Sequence, residues 1–189
     1  MRSWSGRFAP VAAAALLAAG CGYNAIQQKD EAVNSALSQT KVQLQRRADL
    51  VPNLVETVKG FAKQELAVFT EVSEARSRLA GAVRQGSPAE MAQANAQLTQ
   101  PLSRLLALVE NYPELKSNQN FLELQSQLEG TENRISVARQ DYNQAVRDYN
   151  SFIRTFPYNL TAKVFGRSKP REYFELTSPG AAEAPKVKF

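Results

Sequence analysis

The chain contains no histidine and only one cysteine, Cys21, in 189 residues. Without histidine there is no imidazole to act as a general base near neutral pH, no Ser-His-Asp or Cys-His nucleophile, and no His-ligated zinc. One cysteine makes no internal disulfide and no Cys-rich metal cluster. The glycine-rich phosphate and dinucleotide loops are missing, as is the Gly-x-Ser-x-Gly elbow. No apolar run reaches the roughly 20 residues needed to cross a bilayer core. These absences predict no catalytic residue, no metal site and no cofactor. What remains is 43% hydrophobic and 22% charged, with nine glycines and nine prolines, a composition typical of a folded domain.

The N-terminus reads as an address. Arg2 and Arg7 supply a positive start, Phe8 to Ala19 an apolar stretch, and Ala18, Ala19 and Gly20 small residues before Cys21. The stretch suits a secretory signal. The string Leu16-Leu17-Ala18-Ala19-Gly20-Cys21 resembles a bacterial lipobox, in which the chain is cut before the cysteine and its thiol is acylated. Ala18 stands where leucine is commonest. Cleavage by ordinary signal peptidase and an uncleaved anchor are the alternatives. Removing residues 1–20 takes two arginines, so 23 basic residues become 21 against 18 acidic, or +3. In Gram-negative lipoproteins an aspartate after the cysteine favours inner-membrane retention; Gly22 therefore favours the outer membrane.

The rest of the chain reads as helix. Phe121, Leu124, Leu128, Thr131, Ile135, Ala138, Tyr142, Ala145, Tyr149, Phe152 and Phe156 alternate at steps of three and four, one stripe of a long supercoiled helix. A second stripe runs from Val51 through Leu54, Val58, Phe61, Val68, Val72, Ala75 and Leu79 to Ala82, interrupted by Glu65. This helix is expected to start near Asp49 or Val51, with Pro52 in its first turn, and to end near Gln85 with Gly86 in the left-handed position. Ser87-Pro88-Ala89-Glu90 predicts a capping box opening a third helix, which carries Pro101 and stops at Tyr112-Pro113. A weaker first helix holds Ile26, Val33, Leu37 and Leu44. Turns at 46–51, 85–87 and 113–119 predict an all-α, antiparallel up-and-down bundle of about four long helices with coiled-coil-like packing. The rival is a first and second helix running continuously through Pro52. After Phe156-Pro157, a short helix over Leu160 to Phe165 and docking of Tyr173-Phe174 are expected. The domain plan is a signal peptide at 1–20, a bundle at 21–175 and a flexible tail at 176–189.

These landmarks together resemble the LemA family of bacterial membrane-associated proteins. The central block is Val42-Gln43-Leu44-Gln45-Arg46-Arg47-Ala48-Asp49-Leu50-Val51-Pro52-Asn53-Leu54-Val55-Glu56-Thr57-Val58. Tyr23-Asn24 matches the opening of the family's domain, and Tyr112-Pro113-Glu114-Leu115-Lys116-Ser117-Asn118 its inter-helix loop. Glu132-Asn133-Arg134-Ile135 and Arg139-Gln140-Asp141-Tyr142-Asn143 match its last helix. Phe156-Pro157-Tyr158-Asn159 and Pro185-Lys186-Val187-Lys188-Phe189 match its tail. The resemblance implies a helical bundle on an N-terminal membrane anchor, no established enzymatic activity, and membrane organisation as one kind of role. Most members carry a transmembrane helix where this chain carries a lipobox, so the side of the membrane does not transfer. Ala48 stands where the family often has histidine.

Four groups of residues compete for a functional role. Arg46, Arg47, Asp49 and Asn53 cluster at the expected turn. They form a partner-binding patch, or they serve as turn chemistry, with Asp49 capping the second helix and the arginines offsetting the end dipole of the first. Glu65 in its apolar stripe is a buried carboxylate or a register device. Asp141-Tyr142-Asn143 and Asp148-Tyr149-Asn150 place two tyrosines on the core stripe, each hydroxyl needing a polar partner, or else form an aromatic ligand site. Val187 and Phe189 end the chain either as a peptide that a PDZ-type domain captures or as a loose tail with no reader. Nucleic-acid binding is not expected, because the mature excess is small and the aromatics lie on core stripes. The expected protein is a non-catalytic scaffold or adaptor of the bacterial cell envelope. Acylated Cys21 holds it to the membrane, at the outer membrane facing the periplasm in a Gram-negative host. An envelope protein is its expected partner. The alternative is an accessory subunit of an envelope enzyme such as a protease.

Overall fold

A computed structural model describes residues 9–62 and 64–175, with side chains from residue 22 onward. Every element among these residues is helical: α1 (Ala9–Lys59), α2 (Leu66–Gln85), α3 (Pro88–Val109), α4 (Pro113–Lys116), α5 (Gln119–Phe152) and α6 (Tyr158–Val164). Two compact units share the two longest helices. One comprises the chain up to Ala36 together with Asp141–Glu172; the other comprises Leu37–Gln140 and the segment from Tyr173.

The expected turn at 46–51 does not exist. α1 runs unbroken through it to Lys59, with Pro52 inside the helix. The chain turns instead at 60–65, where Phe61 and Ala62 both donate to the carbonyl of Val58. The apolar period of three and four continues on both sides of that turn, so the period alone could not mark it. Asp49 therefore caps no helix, and Arg46 and Arg47 face no helix end. Glu65 occupies the N-cap position of α2, with its side chain half-exposed rather than buried in a stripe.

A proline in mid-helix lacks the N–H that would bond to the carbonyl four residues back. For Pro52 that carbonyl belongs to Ala48, which is fully buried. A buried carbonyl without a donor costs about as much as a lost hydrogen bond. Here Arg76 of α2 supplies the donor: its Nε lies 3.0 Å from the Ala48 oxygen. The interruption in α1 is thus filled from the side, and the same contact fastens α2 to α1.

Local signals elsewhere behave as their chemistry dictates. Ser87 Oγ accepts from the Glu90 backbone N–H at 3.2 Å and the Ser87 N–H donates to Glu90 Oε2 at 2.7 Å, closing the capping box. Gly86 differs from expectation: its φ of −79° and ψ of 158° are extended, not left-handed. Glycine is needed there for space, because a Cβ would sit 2.6 Å from the Ala82 carbonyl oxygen. α3 continues across Pro101 to Val109.

In the unit built on Leu37–Gln140, α2 packs on α3. Its core includes Val51, Leu54 and Val58 from α1, Val72, Ala75 and Leu79 from α2, and Met91, Leu98 and Leu105 from α3. Full burial of each valine, leucine or methionine among them contributes about 1.5–3 kcal/mol. Thr40 is buried and donates to the Ala138 carbonyl of α5 at 3.2 Å. Phe174 docks in the core, whereas Tyr173 stays at the surface. In the other unit, Ile26 and Val33 of α1, Tyr142, Val146 and Tyr149 of α5, and Ala162 of α6 are buried.

The Arg76 contact generates a testable coupling. Arg76→Ala should lower stability by about 1–2 kcal/mol, the value of a hydrogen bond to a buried carbonyl from a charged donor. In a Pro52→Ala background residue 52 regains its own N–H, and the same substitution should cost far less. A double-mutant cycle by urea denaturation measures the difference. Equal costs in both backgrounds would show that the guanidinium does not replace the missing backbone donor.

Candidate functional site

The chemistry-bearing side chains gather at two polar centres, one in each unit. The first is built on Asp30 of α1, a buried carboxylate. Arg171 approaches it with Nη2 at 2.6 Å and Nε at 2.9 Å of Oδ1, and Arg167 Nη1 lies 3.2 Å from Oδ2. A buried carboxylate is stable only when paired and hydrogen-bonded. Arg171 engages one oxygen and Arg167 the other. Asn150 of α5 adds a reciprocal pair with Arg171: its Nδ2 donates to the Arg171 carbonyl at 2.9 Å, and its Oδ1 accepts from the Arg171 N–H at 2.7 Å. The strand-less segment after α6 is thereby clasped to the unit.

The two core tyrosines complete the clasp. Tyr142 donates its hydroxyl to the Glu172 carbonyl at 2.7 Å and Tyr149 to the Arg167 carbonyl at 3.3 Å. The expectation that each ring fills core and each hydroxyl finds a polar partner is met. Burial pushes the Tyr142 phenol up to about 12, with Arg171 pulling it back and Glu172 adding to the rise. Burial also raises Tyr149, helped by the negative charge of Asp30.

The second centre is Arg47. Its side chain is almost wholly buried, and Nη1 reaches Asn95 Oδ1 at 2.6 Å and Glu132 Oε2 at 2.7 Å. Nη2 lies 3.3 Å from Thr99 Oγ1. One guanidinium therefore joins α1, α3 and α5. Burial pulls its pKa below the usual arginine value, while Glu132 opposes that shift.

Of the residues expected to meet a partner, Arg47 is thus committed to the interior. Arg46, Asp49 and Asn53 are exposed at helical spacing on α1. Asp49 accepts from Gln45 at 2.7 Å and stands 3.9 Å from Arg76. Val42, also exposed, extends that face by one turn. Residues 1–8, the side chains of residues 9–21 with Cys21 among them, and Val187 and Phe189 lie outside the described residues. Gly22 is described: it is buried, and a Cβ there would come within 3.2 Å of Thr161 Oγ1 and 3.3 Å of the Tyr158 ring.

Two surface hollows accompany these centres. One is lined by Lys59, Leu66, Phe69, Thr70, Glu74 and Arg78, and the Lys59 amine lies 5.8 Å over the Phe69 ring. The other is lined by Lys29, Ala32, Asp141, Gln144, Ala145 and Asp148. Ser73 and Ser77 also line the first hollow, and the hydroxyls of Thr70, Ser73 and Ser77 each donate to the backbone carbonyl four residues back. Among the described residues no group of His, Cys, Asp or Glu is arranged to hold a metal ion. No described helix is long and apolar enough to cross a membrane.

The Asp30 clasp was not foreseen from the sequence. Its members are separated by up to 141 residues. The only local trace is an arginine pair four residues apart in a stretch free of acidic residues.

Two outcomes are expected from these contacts. Asp30→Ala strands two guanidiniums and should loosen 165–172, so trypsin should cut after Arg167 or Arg171 several-fold faster than in the parent chain; unchanged protection would sever the clasp from Asp30. The Tyr142 phenol binds its proton more tightly when folded than at the ordinary value of about 10. Its contribution is therefore complete below about pH 10 and is lost as pH rises towards about 12, on the order of 2 kcal/mol. Tyr142→Phe should flatten stability against pH across that window, measured by urea melts at stepped pH.

The model of the LemA family matches residues 36–189. Magnetosome protein MamQ 2 of Paramagnetospirillum magneticum is 29% identical over 181 residues, covering 84% of this chain and 66% of the relative. Magnetosome protein MamQ of Magnetospirillum gryphiswaldense is 27% identical over the same span, with the same coverage. Protein LemA of Metamycoplasma hominis is 23% identical over 141 residues, covering 74% of this chain and 63% of the relative. The chain thus spans about two thirds of the length of these relatives.

Proposed function

The chain belongs to the LemA family, and on that footing we propose that it is a non-catalytic, lipid-anchored helical scaffold or adaptor of the bacterial cell envelope. The observation that carries the reading is the N-terminal string itself. Two arginines, an apolar stretch and small residues lead to the sole cysteine, Cys21. Two or three acyl chains on that residue hold a protein stably to a bilayer, where one chain alone is marginal. The magnetosome relatives support association with a membrane.

The scaffold role is supported by where the polar chemistry is spent. Asp30 and Arg47, the two charged residues most deeply placed, are consumed in fastening helices and the segment after α6. The helices then offer exposed faces to a partner. The face with Arg46, Asp49 and Asn53 is the one we assign to an envelope protein partner. In a Gram-negative host Gly22 favours the outer membrane. Its glycine also has a packing consequence, because a Cβ there would press on the Thr161 and Tyr158 side chains of α6 at 3.2 and 3.3 Å.

Intact mass and membrane partition of the full-length protein in its host, beside Cys21→Ala, test the reading. The parent should gain acyl mass, lose residues 1–20 and stay with the membrane, while the variant leaves the membrane or stalls uncut. A parent that keeps residues 1–20 and gains no acyl mass overturns lipid anchorage. Co-purification of an enzyme whose rate the protein changes would move it to accessory subunit.

A further inference from the structure

α6 turns its helical logic outwards. Its inner side is fully engaged: Ala162 is buried, Tyr158 stacks on Phe152 with ring centroids 4.2 Å apart, and Tyr158 and Thr161 close over Gly22. Its outer side carries Leu160 and Val164, one helical turn apart, at 55% and 79% exposure. Phe156 before the helix is 75% exposed and Phe165 after it 50%, with the Phe165 ring 4.7 Å from Tyr23. Four large apolar side chains thus face water within a stretch of ten residues, an arrangement suited to a contact surface.

The charge of the chain segment that carries them has one sign. Between Asp148 and Glu172 the sequence has no acidic residue, but it has Arg154, Lys163, Arg167, Lys169 and Arg171. Asp30 takes up Arg167 and Arg171. Arg154, Lys163 and Lys169 remain exposed, and Lys163 stands between Leu160 and Val164 on the helix. Apolar side chains fringed by lysine and arginine are the chemistry of a segment that lies in the headgroup layer of an anionic bilayer. A second copy of this chain would bring the same positive fringe against itself.

Position supplies the third argument. Gly22 is packed against Tyr158 and Thr161 of α6, and Cys21 is its neighbour in the chain. A chain tethered at residue 21 therefore holds α6 next to the lipid. We propose that α6 and its flanks, with Phe156, Leu160, Val164 and Phe165 inserted and Arg154, Lys163 and Lys169 on phosphates, form a second membrane contact that recognises anionic phospholipid. The inference rests on the anchorage at Cys21 proposed above.

The test uses full-length protein carrying Trp4→Phe and Leu160→Trp, so that one indole reports on the outer side of α6. Vesicles of phosphatidylglycerol with phosphatidylcholine are compared with phosphatidylcholine alone, each with and without brominated acyl chains. Acyl mass at Cys21 is read on the same sample. The expected result is blue-shifted emission that brominated lipid quenches. Phosphatidylcholine alone, or Lys163→Glu with Lys169→Glu, should weaken that quenching several-fold. A sample that carries acyl mass and binds vesicles, yet keeps a water-like, unquenched indole, overturns the α6 contact and leaves the anchor standing. A sample without acyl mass overturns the anchor, while its quenching still decides the α6 contact. A blue shift that grows with protein concentration and ignores bromine assigns the surface to a second copy and overturns the proposal. Val164→Trp repeats the measurement at a site still more open to solvent.

Discussion

Everything in the larger unit depends on α1 staying helical through Pro52. A proline at that point should end the helix or bend it sharply. The helix does not end there, and the carbonyl that Pro52 orphans is met by Arg76. Continuity of α1 then places Leu44, Ala48, Val51, Leu54 and Val58 on a single buried face. It also carries Arg47 inwards to Asn95, Thr99 and Glu132, and moves the first reversal of the chain to 60–65.

The parts legible in the sequence are those whose cause is local. Ser87 and Glu90 find each other because capping geometry needs only three residues. The buried tyrosines at 142 and 149 follow from a seven-residue repeat on a long helix. The helix at 158–164 follows from the Phe156-Pro157 break before it. The parts that escaped are set by distant groups. Whether Pro52 starts a helix or sits inside one depends on Arg76, which lies in another helix. Asp30 reads as one more surface acid on an amphipathic segment until the segment after α6 returns to cover it. Gly86 reads as a left-handed cap, yet it is a spacer dictated by the Ala82 carbonyl.

The two polar centres do the same physical job with opposite charges at the middle. In one, a carboxylate is surrounded by guanidiniums; in the other, a guanidinium is surrounded by a carboxylate, an amide and a hydroxyl. Apolar packing alone is permissive about register, because one leucine fits a neighbour's hole nearly as well as the next. A buried charge is not permissive, since a slip of one turn leaves it unpaired. The family resemblance in the block around Arg46 to Val58 therefore coincides with the stretch where both the Arg47 centre and the Pro52 contact are built.

Burial of Gly22 bears on mechanics. Many tethered proteins hang from a loose spacer, which lets the folded part tumble and reach. Here the helical backbone already includes residue 21, and the next residue is wedged under Tyr158 and Thr161. A pull or a twist applied at that point has no slack to absorb it. It passes directly into the wall of the fold, so an anchor placed there would act as a stiff mount that sets which way the protein faces.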